Sequence, residues 1–407
     1  MKKTLLVFAF ALATTAAWAQ EGQAVDGLML KYNESDKTAT VVQWLVDGDD
    51  GRKYNYYEGD IVIPKNVNGY TITAIGDYAF SRLTLKDSER GITSVSIPTT
   101  VKAIGEWAFY RCDRLKSITI PNTVESIGDM AFVGAGIETF TIEDGDSPLS
   151  VGGSGGTWGS ALATMENCKT MYIGRTIKRM GTKLYTDYWP TFNACDNITD
   201  LTYGPKVKNI MANECSRSKS IKRVKFLGDL VTVIPESAFE SSEVVSIELP
   251  SKLQTIEKDA FYKAKLESVN LPGTLTTIGK EAFYDNPMTS IVIPASVTTI
   301  GDWAFGYCPF TVVKSLATVP PVCSGDPFYQ LDKKACKLIV PKGSLEAYKT
   351  ANVWKDFFNI EATSLNDITT DGETREYFDL QGHNSNQPRK GLNIIRQGGK
   401  TRKVVIR

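Results

Sequence analysis

The residue types that most often carry catalysis are scarce in this chain. Its single histidine, His383, follows a glycine near the C terminus. This argues against a Ser-His-Asp triad, a Cys-His pair or a histidine-based zinc site. Acidic residues are plentiful, but no pair of carboxylates stands out in the way that sugar hydrolysis would require. We therefore expect no catalytic residues and no enzymatic activity.

Motifs for cofactors and metals are also incomplete. A glycine-rich run starts at Gly152, but it lacks the Gly-Lys-Ser/Thr ending of a phosphate loop, and Trp158 takes the third glycine's place in a dinucleotide fingerprint. Residues 47–51, Asp-Gly-Asp-Asp-Gly, are not followed by a Glu in the register of a calcium loop. The cysteines form no Cys-x-x-Cys pair. The sequence predicts no cofactor and no metal site.

Aromatic side chains could support binding instead. Four of them fall in two segments that interrupt the repeats described next: Trp158, Tyr185, Tyr188 and Trp189. Their rings could stack on sugar rings, which would make the chain a glycan-binding module. Alternatively, these loops fold back and pack on the edge of the domain.

A repeat organises most of the chain. Proline recurs every 22 residues at Pro250, Pro272 and Pro294, and phenylalanine recurs with the same period at Phe261, Phe283 and Phe305. A fixed period of this length indicates a solenoid, in which each unit buries its apolar side against its neighbours.

Each repeat contains one strand pattern, shown by residues 115–120. Alternation turns Ile118 and Ile120 inward and Ser117 and Thr119 outward, and the strands should stack into a parallel sheet. We expect Gly128 to permit a turn that a Cβ would hinder. The middle strand residue recurs at Val95, Ile118, Phe140, Met171, Leu201, Val224, Ile247, Val269, Ile291, Val313 and Leu338, with Ile61 as a capping version.

Residues 97–118 read Ile-Pro-x-x-Val-x-x-Ile-Gly-x-x-Ala-Phe-x-x-Cys-x-x-Leu-x-x-Ile. This phrase resembles the BspA-like, or treponemal-type, leucine-rich repeat, and the resemblance covers residues 60–360. It implies a right-handed leucine-rich-repeat coil with a parallel β-sheet face. That family is typical of exported and surface proteins of anaerobic bacteria. The resemblance therefore implies adhesion to a protein partner on host matrix or on other bacteria.

The chain divides into five predicted segments. They are a signal peptide (1–19), an N-terminal β-hairpin cap (20–60), the repeat solenoid with its C-terminal cap (61–361), a linker (362–374) and a small C-terminal β module (375–407). The signal consists of two lysines, an apolar run and an Ala-x-Ala cleavage site. It predicts a secreted or outer-surface protein, and the periplasm fits as well. The terminal module resembles small modules of exported proteins, some of which serve sorting.

Charge, apolar runs and cysteines limit the remaining possibilities. Residues 375–407 hold eight basic and two acidic residues, whereas residues 20–374 hold 36 basic and 44 acidic ones, which argues against a nucleic-acid partner. No later apolar run is long enough for a transmembrane segment. Cys112, Cys195 and Cys308 recur three residues after a repeat phenylalanine and should be buried thiols. Cys323 and Cys336 lie outside that register, and we predict that they form a disulfide. We expect a monomer.

The outward strand positions predict the binding surface. Hydroxyl side chains occupy both ends of this stripe, and larger side chains occupy its middle. The middle should hold the residues that dominate binding. The alternative is that the hydroxyls form a ladder that stabilises the sheet. The candidates in the middle are Tyr172, Arg223, Lys225 and Glu248.

Overall fold

The computed structural model describes residues 22–47, 53–82, 91–152, 162, 165–180 and 197–363, and four strands between 376 and 406. The described part of the chain is a repeat solenoid built from parallel strands, with one short α-helix at its C-terminal end. Each coil has three sides: a longer strand, a short strand and a corner that carries the Ala-Phe pair. The predicted solenoid fold is confirmed.

The longer strands form the side that the sequence predicted. We call it the long-strand face, and its parallel sheets have two, six and four strands. The sheets consist of Gly59–Val62 and Ile92–Ser96; then Ser117–Ile120, Thr139–Ile142, Thr170–Arg175, Asp200–Lys206, Arg223–Phe226 and Ser246–Glu248; then Ser290–Ile293, Val312–Ser315, Lys337–Pro341 and Asn359–Thr363.

The predicted register of this face holds within each sheet. Ile118 pairs with Phe140 and Leu201 pairs with Val224, and the same alignment continues along the six strands. The face is nevertheless divided where the sequence predicted one sheet. Val269 lies outside any strand, and no ladder joins Ile92–Ser96 to Ser117–Ile120.

A second strand, which the sequence did not predict in the repeats, builds a short-strand face, although the coil that follows Asp200–Lys206 has none. Its first sheet begins with antiparallel N-terminal strands and continues with parallel repeat strands. These strands are Gln23–Val25, Leu28–Asn33, Thr38–Val41, Asn66–Val67, Tyr70–Ile75, Ala103–Ile104, Ser126–Ile127, Leu149–Gly152 and Ile177–Met180. A second sheet holds Val233–Ile234, Thr255–Ile256, Thr277–Ile278, Thr299–Ile300 and Val322–Cys323.

The phenylalanines stack at the third side of the coil. Phe261 is fully buried, and its ring lies 5.3 Å from that of Phe239 and 5.2 Å from that of Phe283. The backbone N–H of Phe261 also donates to the carbonyl of Ala282 at 2.8 Å. The stack therefore combines ring contacts with backbone hydrogen bonds between coils. Leu162 and Cys215 interrupt it, and Phe192 lies outside the described residues.

Glycine is required at position 128 for a reason other than the turn that the sequence suggested. Its φ is not positive, so any residue could adopt its backbone conformation. A Cβ at Gly128 would instead lie 2.6 Å from the backbone nitrogen of Glu106 in the preceding coil. Close approach of successive coils therefore requires glycine at this position.

Buried aromatic side chains close the last coil. The α-helix Leu345–Thr350 lies between 3-10 turns at Lys342–Ser344 and Trp354–Asp356. The ring of Trp354 is fully buried and lies 5.5 Å from that of Phe328. Among the described residues, no helix is long and apolar enough to span a membrane.

Two small sheets lie outside the coils. An antiparallel pair, Leu45–Asp47 and Lys53–Asn55, precedes the first longer strand. Near the C terminus, four antiparallel strands pair in the order Asn384–Ser385, Glu376–Phe378, Gly391–Gln397 and Lys400–Ile406. The sequence predicted three strands in this C-terminal module.

Candidate functional site

The six-stranded sheet of the long-strand face brings the predicted surface residues together. Its register sets the outward side chains in two rows that cross all six strands. One row reads Ser117, Thr139, Thr170, Asp200, Arg223 and Ser246. The other reads Thr119, Thr141, Tyr172, Thr202, Lys225 and Glu248. Tyr172, Arg223, Lys225 and Glu248 therefore lie on three strands of one surface, with the strand Asp200–Lys206 between Tyr172 and Arg223.

The first row contains an ion pair with two hydrogen bonds. Arg223 donates from Nε and Nη2 to the two carboxylate oxygens of Asp200, at 2.5 and 2.7 Å. This contact lowers the pKa of Asp200 and raises the pKa of Arg223. The Arg223 side chain remains 61% exposed, so a partner can reach the guanidinium.

The second row has its own polar contacts. Lys225 and Glu248 form an ion pair at 2.9 Å. The hydroxyl of Tyr172 donates to Asp144 at 2.8 Å. Desolvation and this carboxylate raise the pKa of Tyr172 to about 12, so its hydroxyl stays protonated at neutral pH. The row therefore presents one aromatic ring and, beyond Thr202, a lysine and a carboxylate.

These contacts leave the surface available for binding. An exposed ion pair contributes only about 0 to 1 kcal/mol to stability, because water screens both charges. A partner can thus redirect Arg223 or Lys225 toward its own carboxylates at small cost. A shallow surface of mixed charge, with one aromatic ring, suits contact with another protein.

The predicted sugar-stacking residues lie elsewhere in the sequence. Trp158, Tyr185, Tyr188 and Trp189 are all outside the described residues. Their role in glycan binding stays a prediction.

The predicted disulfide is not formed. Cys323 and Cys336 are both free thiols. Cys323 ends a strand of the short-strand face, whereas Cys336 directly precedes a strand of the long-strand face, Lys337–Pro341. The two thiols therefore belong to different sides of the coil. The described repeat cysteines Cys112 and Cys308 are buried and free, as the sequence predicted.

The residues described in the structure contain no group of three or more His, Cys, Asp or Glu side chains that could hold a metal ion. A buried repeat thiol is also a poor metal ligand or nucleophile, because both roles need the thiolate. Burial raises the pKa of Cys308 to about 12, so this thiol remains protonated and unreactive.

An aromatic cluster on the Ala-Phe side was not predicted. The ring of Tyr284 lies 4.9 Å from that of Tyr262 and 5.2 Å from that of Tyr307, and the rings of Trp303 and Tyr329 stack at 4.8 Å. A sequence signal was present, because tyrosine directly follows the repeat phenylalanine at Tyr110, Tyr262, Tyr284 and Tyr329. The stacked rings cover one another's faces, which leaves mainly their edges for a ligand.

Comparison with known proteins places the repeats in a family. The family described as "BspA type Leucine rich repeat region" matches in six copies, at residues 73–151 and 188–311. No curated protein matches the chain.

Solved structures of other bacterial proteins are similar to the chain. A leucine-rich repeat protein from Bacteroides ovatus is 20% identical, with a TM-score of 0.45, and the match covers 84% of this chain and 76% of that one. A leucine rich cell surface protein from Faecalibacterium prausnitzii is 17% identical, with a TM-score of 0.33, and the match covers 87% of this chain and 98% of that one. From its six repeat copies, the chain belongs to the BspA-type leucine-rich-repeat family.

Proposed function

We propose that this chain is an exported protein-interaction repeat protein that adheres to a protein on host matrix or on other bacteria. One observation carries the proposal. The register of six strands sets Tyr172, Arg223, Lys225 and Glu248 on one open, shallow surface. The family supports protein interaction, and the signal pattern in residues 1–19 supports export.

The arrangement favours binding over chemistry. The outward rows form a surface of hydroxyl, charged and aromatic groups, and their ions are paired with each other. Such groups recognise a complementary protein surface, in which an aromatic and an arginine often dominate the binding energy.

A combined variant, Tyr172→Ala with Arg223→Ala and Lys225→Ala, tests this surface. Purified host-matrix proteins and intact bacteria are first screened for binding to the mature chain, and the triple variant is then compared on each ligand found. We expect at least about a tenfold loss of affinity, because buried aromatic and arginine contacts concentrate the binding energy. The thermal unfolding midpoint should barely change, since these side chains are outward.

The matched control replaces Ser117 and Thr119, two outward residues on the first strand of the same sheet, with alanine. This control should bind as the wild type does. Equal affinity of the triple variant and the wild type for every ligand found would refute the proposed surface.

A further inference from the structure

The first longer strand, Gly59–Val62, has an unpaired edge among the described residues. It pairs on one side with Ile92–Ser96, and no described strand pairs with its other side. The N–H groups of Gly59 and Ile63 donate to the carbonyls of Gly91 and Ser96, both at 3.1 Å. Because backbone groups alternate along a strand, those of Asp60 and Val62 point toward the unpaired side.

A groove runs beside this edge. It has a volume of about 590 Å³ and is lined by residues 26–28, Val46 and residues 55–58 and 60–62. One wall is therefore the strand edge, and the other belongs to the N-terminal strands. Val62 is 71% exposed and Tyr56 is 53% exposed, so apolar surface is open to a ligand at this groove.

The charge of the groove is one-sided. The carboxylates of Asp26 and Asp60 line it, and no described lysine or arginine does. Thr93 and Ser94 donate hydroxyl hydrogen bonds to Asp60 at 2.8 and 2.6 Å. These bonds favour the ionised carboxylate. The groove therefore carries negative charge next to backbone donors and acceptors that no described strand pairs.

We propose that this groove binds an extended basic peptide of a partner protein, which adds a strand to the free edge of Gly59–Val62. Backbone hydrogen bonds to Asp60 and Val62 would provide affinity, as in other cases of strand addition. Basic side chains would face the carboxylates. Unpaired strand edges accept such additions readily unless they are covered or blocked.

The alternation of the edge strand defines the peptide pattern. Ile63 is buried, whereas Asp60 and Val62 face outward. A strand added beside them places its side chains alternately on these two faces. The fitting peptide therefore alternates basic residues, which lie near the carboxylates, with apolar residues, which extend the core.

The test uses a fluorescein-labelled peptide of alternating Lys and Val, about nine residues long, which is a normal strand length. Fluorescence anisotropy measures its binding to the mature chain. Val62→Pro removes an N–H that faces the peptide and spares the ladder to Ile92–Ser96. We expect at least about a tenfold loss of affinity for Val62→Pro and less than about twofold for Val62→Ala, which keeps the N–H.

Two changes examine charge and backbone pairing separately. The double variant Asp26→Asn with Asp60→Asn should weaken binding about fivefold or more at low salt, and by less at high salt. A Lys-Val peptide that is N-methylated at every residue has no backbone N–H to donate on either edge, so it cannot form the ladder and should not bind. This second peptide leaves the protein unaltered, so it tests pairing even if Val62→Pro unfolds.

The triple variant of Tyr172, Arg223 and Lys225 separates this site from the proposed adhesion surface, because it should bind the Lys-Val peptide normally. The inference is overturned if the Lys-Val peptide does not bind the wild type. It is also overturned if the N-methylated peptide binds as tightly as the Lys-Val peptide. Binding of a Glu-Val peptide with the same affinity as the Lys-Val peptide would overturn it too.

Discussion

Glu214 differs in type from its equivalents in other coils. It takes the place that Ala238 holds in the next coil, and it is buried. Its carboxylate accepts a hydrogen bond from the backbone N–H of Met211 at 2.6 Å. Burial nevertheless raises the pKa of Glu214 to about 7, because the ionised form loses its water. The coil therefore favours the protonated carboxyl group.

This shifted pKa predicts a pH-dependent stability. Between the ordinary pKa of 4.5 and about 7, the folded chain holds a proton that the unfolded chain releases. The contribution of Glu214 to the free energy of unfolding should therefore fall as pH rises, by up to about 3 kcal/mol. Urea unfolding of the wild type and Glu214→Gln, compared at several pH values, measures it. A difference between the two proteins that does not change with pH would contradict the assignment.

Residues near Glu214 show how a coil accommodates side chains that depart from the repeat pattern. Cys215 takes the place of the repeat phenylalanine, and its smaller side chain fills less of the core. Tyr203 stands where the inward isoleucine Ile142 stands two strands earlier, and its hydroxyl lies 3.9 Å from the sulfur of Cys215. A larger residue on the strand thus compensates for a smaller one at the corner.

The stacked phenylalanines should be the most costly side chains to truncate. Phe261→Ala removes a fully buried ring that packs on Phe239 and Phe283. We expect the free energy of unfolding to fall by about 3 to 5 kcal/mol. Tyr262→Ala is the matched control, since that adjacent ring is only partly buried and should cost less. Equal losses for the two variants in urea unfolding would argue against the stack as the main core.

At the scale of the coil, the repeat glycines lie where successive coils come into close contact. A Cβ at Gly301 would lie 2.3 Å from the backbone nitrogen of Lys280, and backbone cannot move aside cheaply. Gly301→Ala should therefore destabilise the chain by about 1 to 3 kcal/mol through overpacking.

Gly273→Ala provides the control within the same region. Nothing lies within 4 Å of a Cβ built at Gly273, and its φ is not positive. This change should be neutral or slightly stabilising, because alanine restricts the unfolded chain. Thermal unfolding of the two variants measures the difference. A midpoint for Gly301→Ala that matches that of Gly273→Ala would show that the coils are not in close contact there.

The two strands of a coil differ in how far the sequence predicts them. The longer strand alternates over four or more residues, as in Ser117–Ile120, and this alternation specified the register that the structure confirms. The short strand often has only two residues, as in Thr277–Ile278, which is too few to show a period. The role of Gly128 was misassigned for a related reason, since a repeat shows which residue recurs and not how near the next coil lies.

At the scale of the whole molecule, the solenoid presents different chemistry on its sides. The six-stranded sheet carries paired charges and Tyr172, whereas the Ala-Phe side of the last coils carries the cluster of tyrosines and Trp303. The sequence placed Tyr172 and Arg223 on one face through the register. It could not show that Arg223 pairs with Asp200, because side-chain geometry decides that contact.

Hydroxyl-radical footprinting of the mature chain, with and without a protein ligand found by the binding screen, tests the proposed binding face most directly. Tyr172 on the six-stranded sheet and Tyr307 in the aromatic cluster are both aromatic reporters on the surface, and Tyr307 is 48% exposed. We predict that the partner protects Tyr172 from oxidation and leaves Tyr307 unchanged. Protection of Tyr307 with unaltered oxidation of Tyr172 would contradict the account.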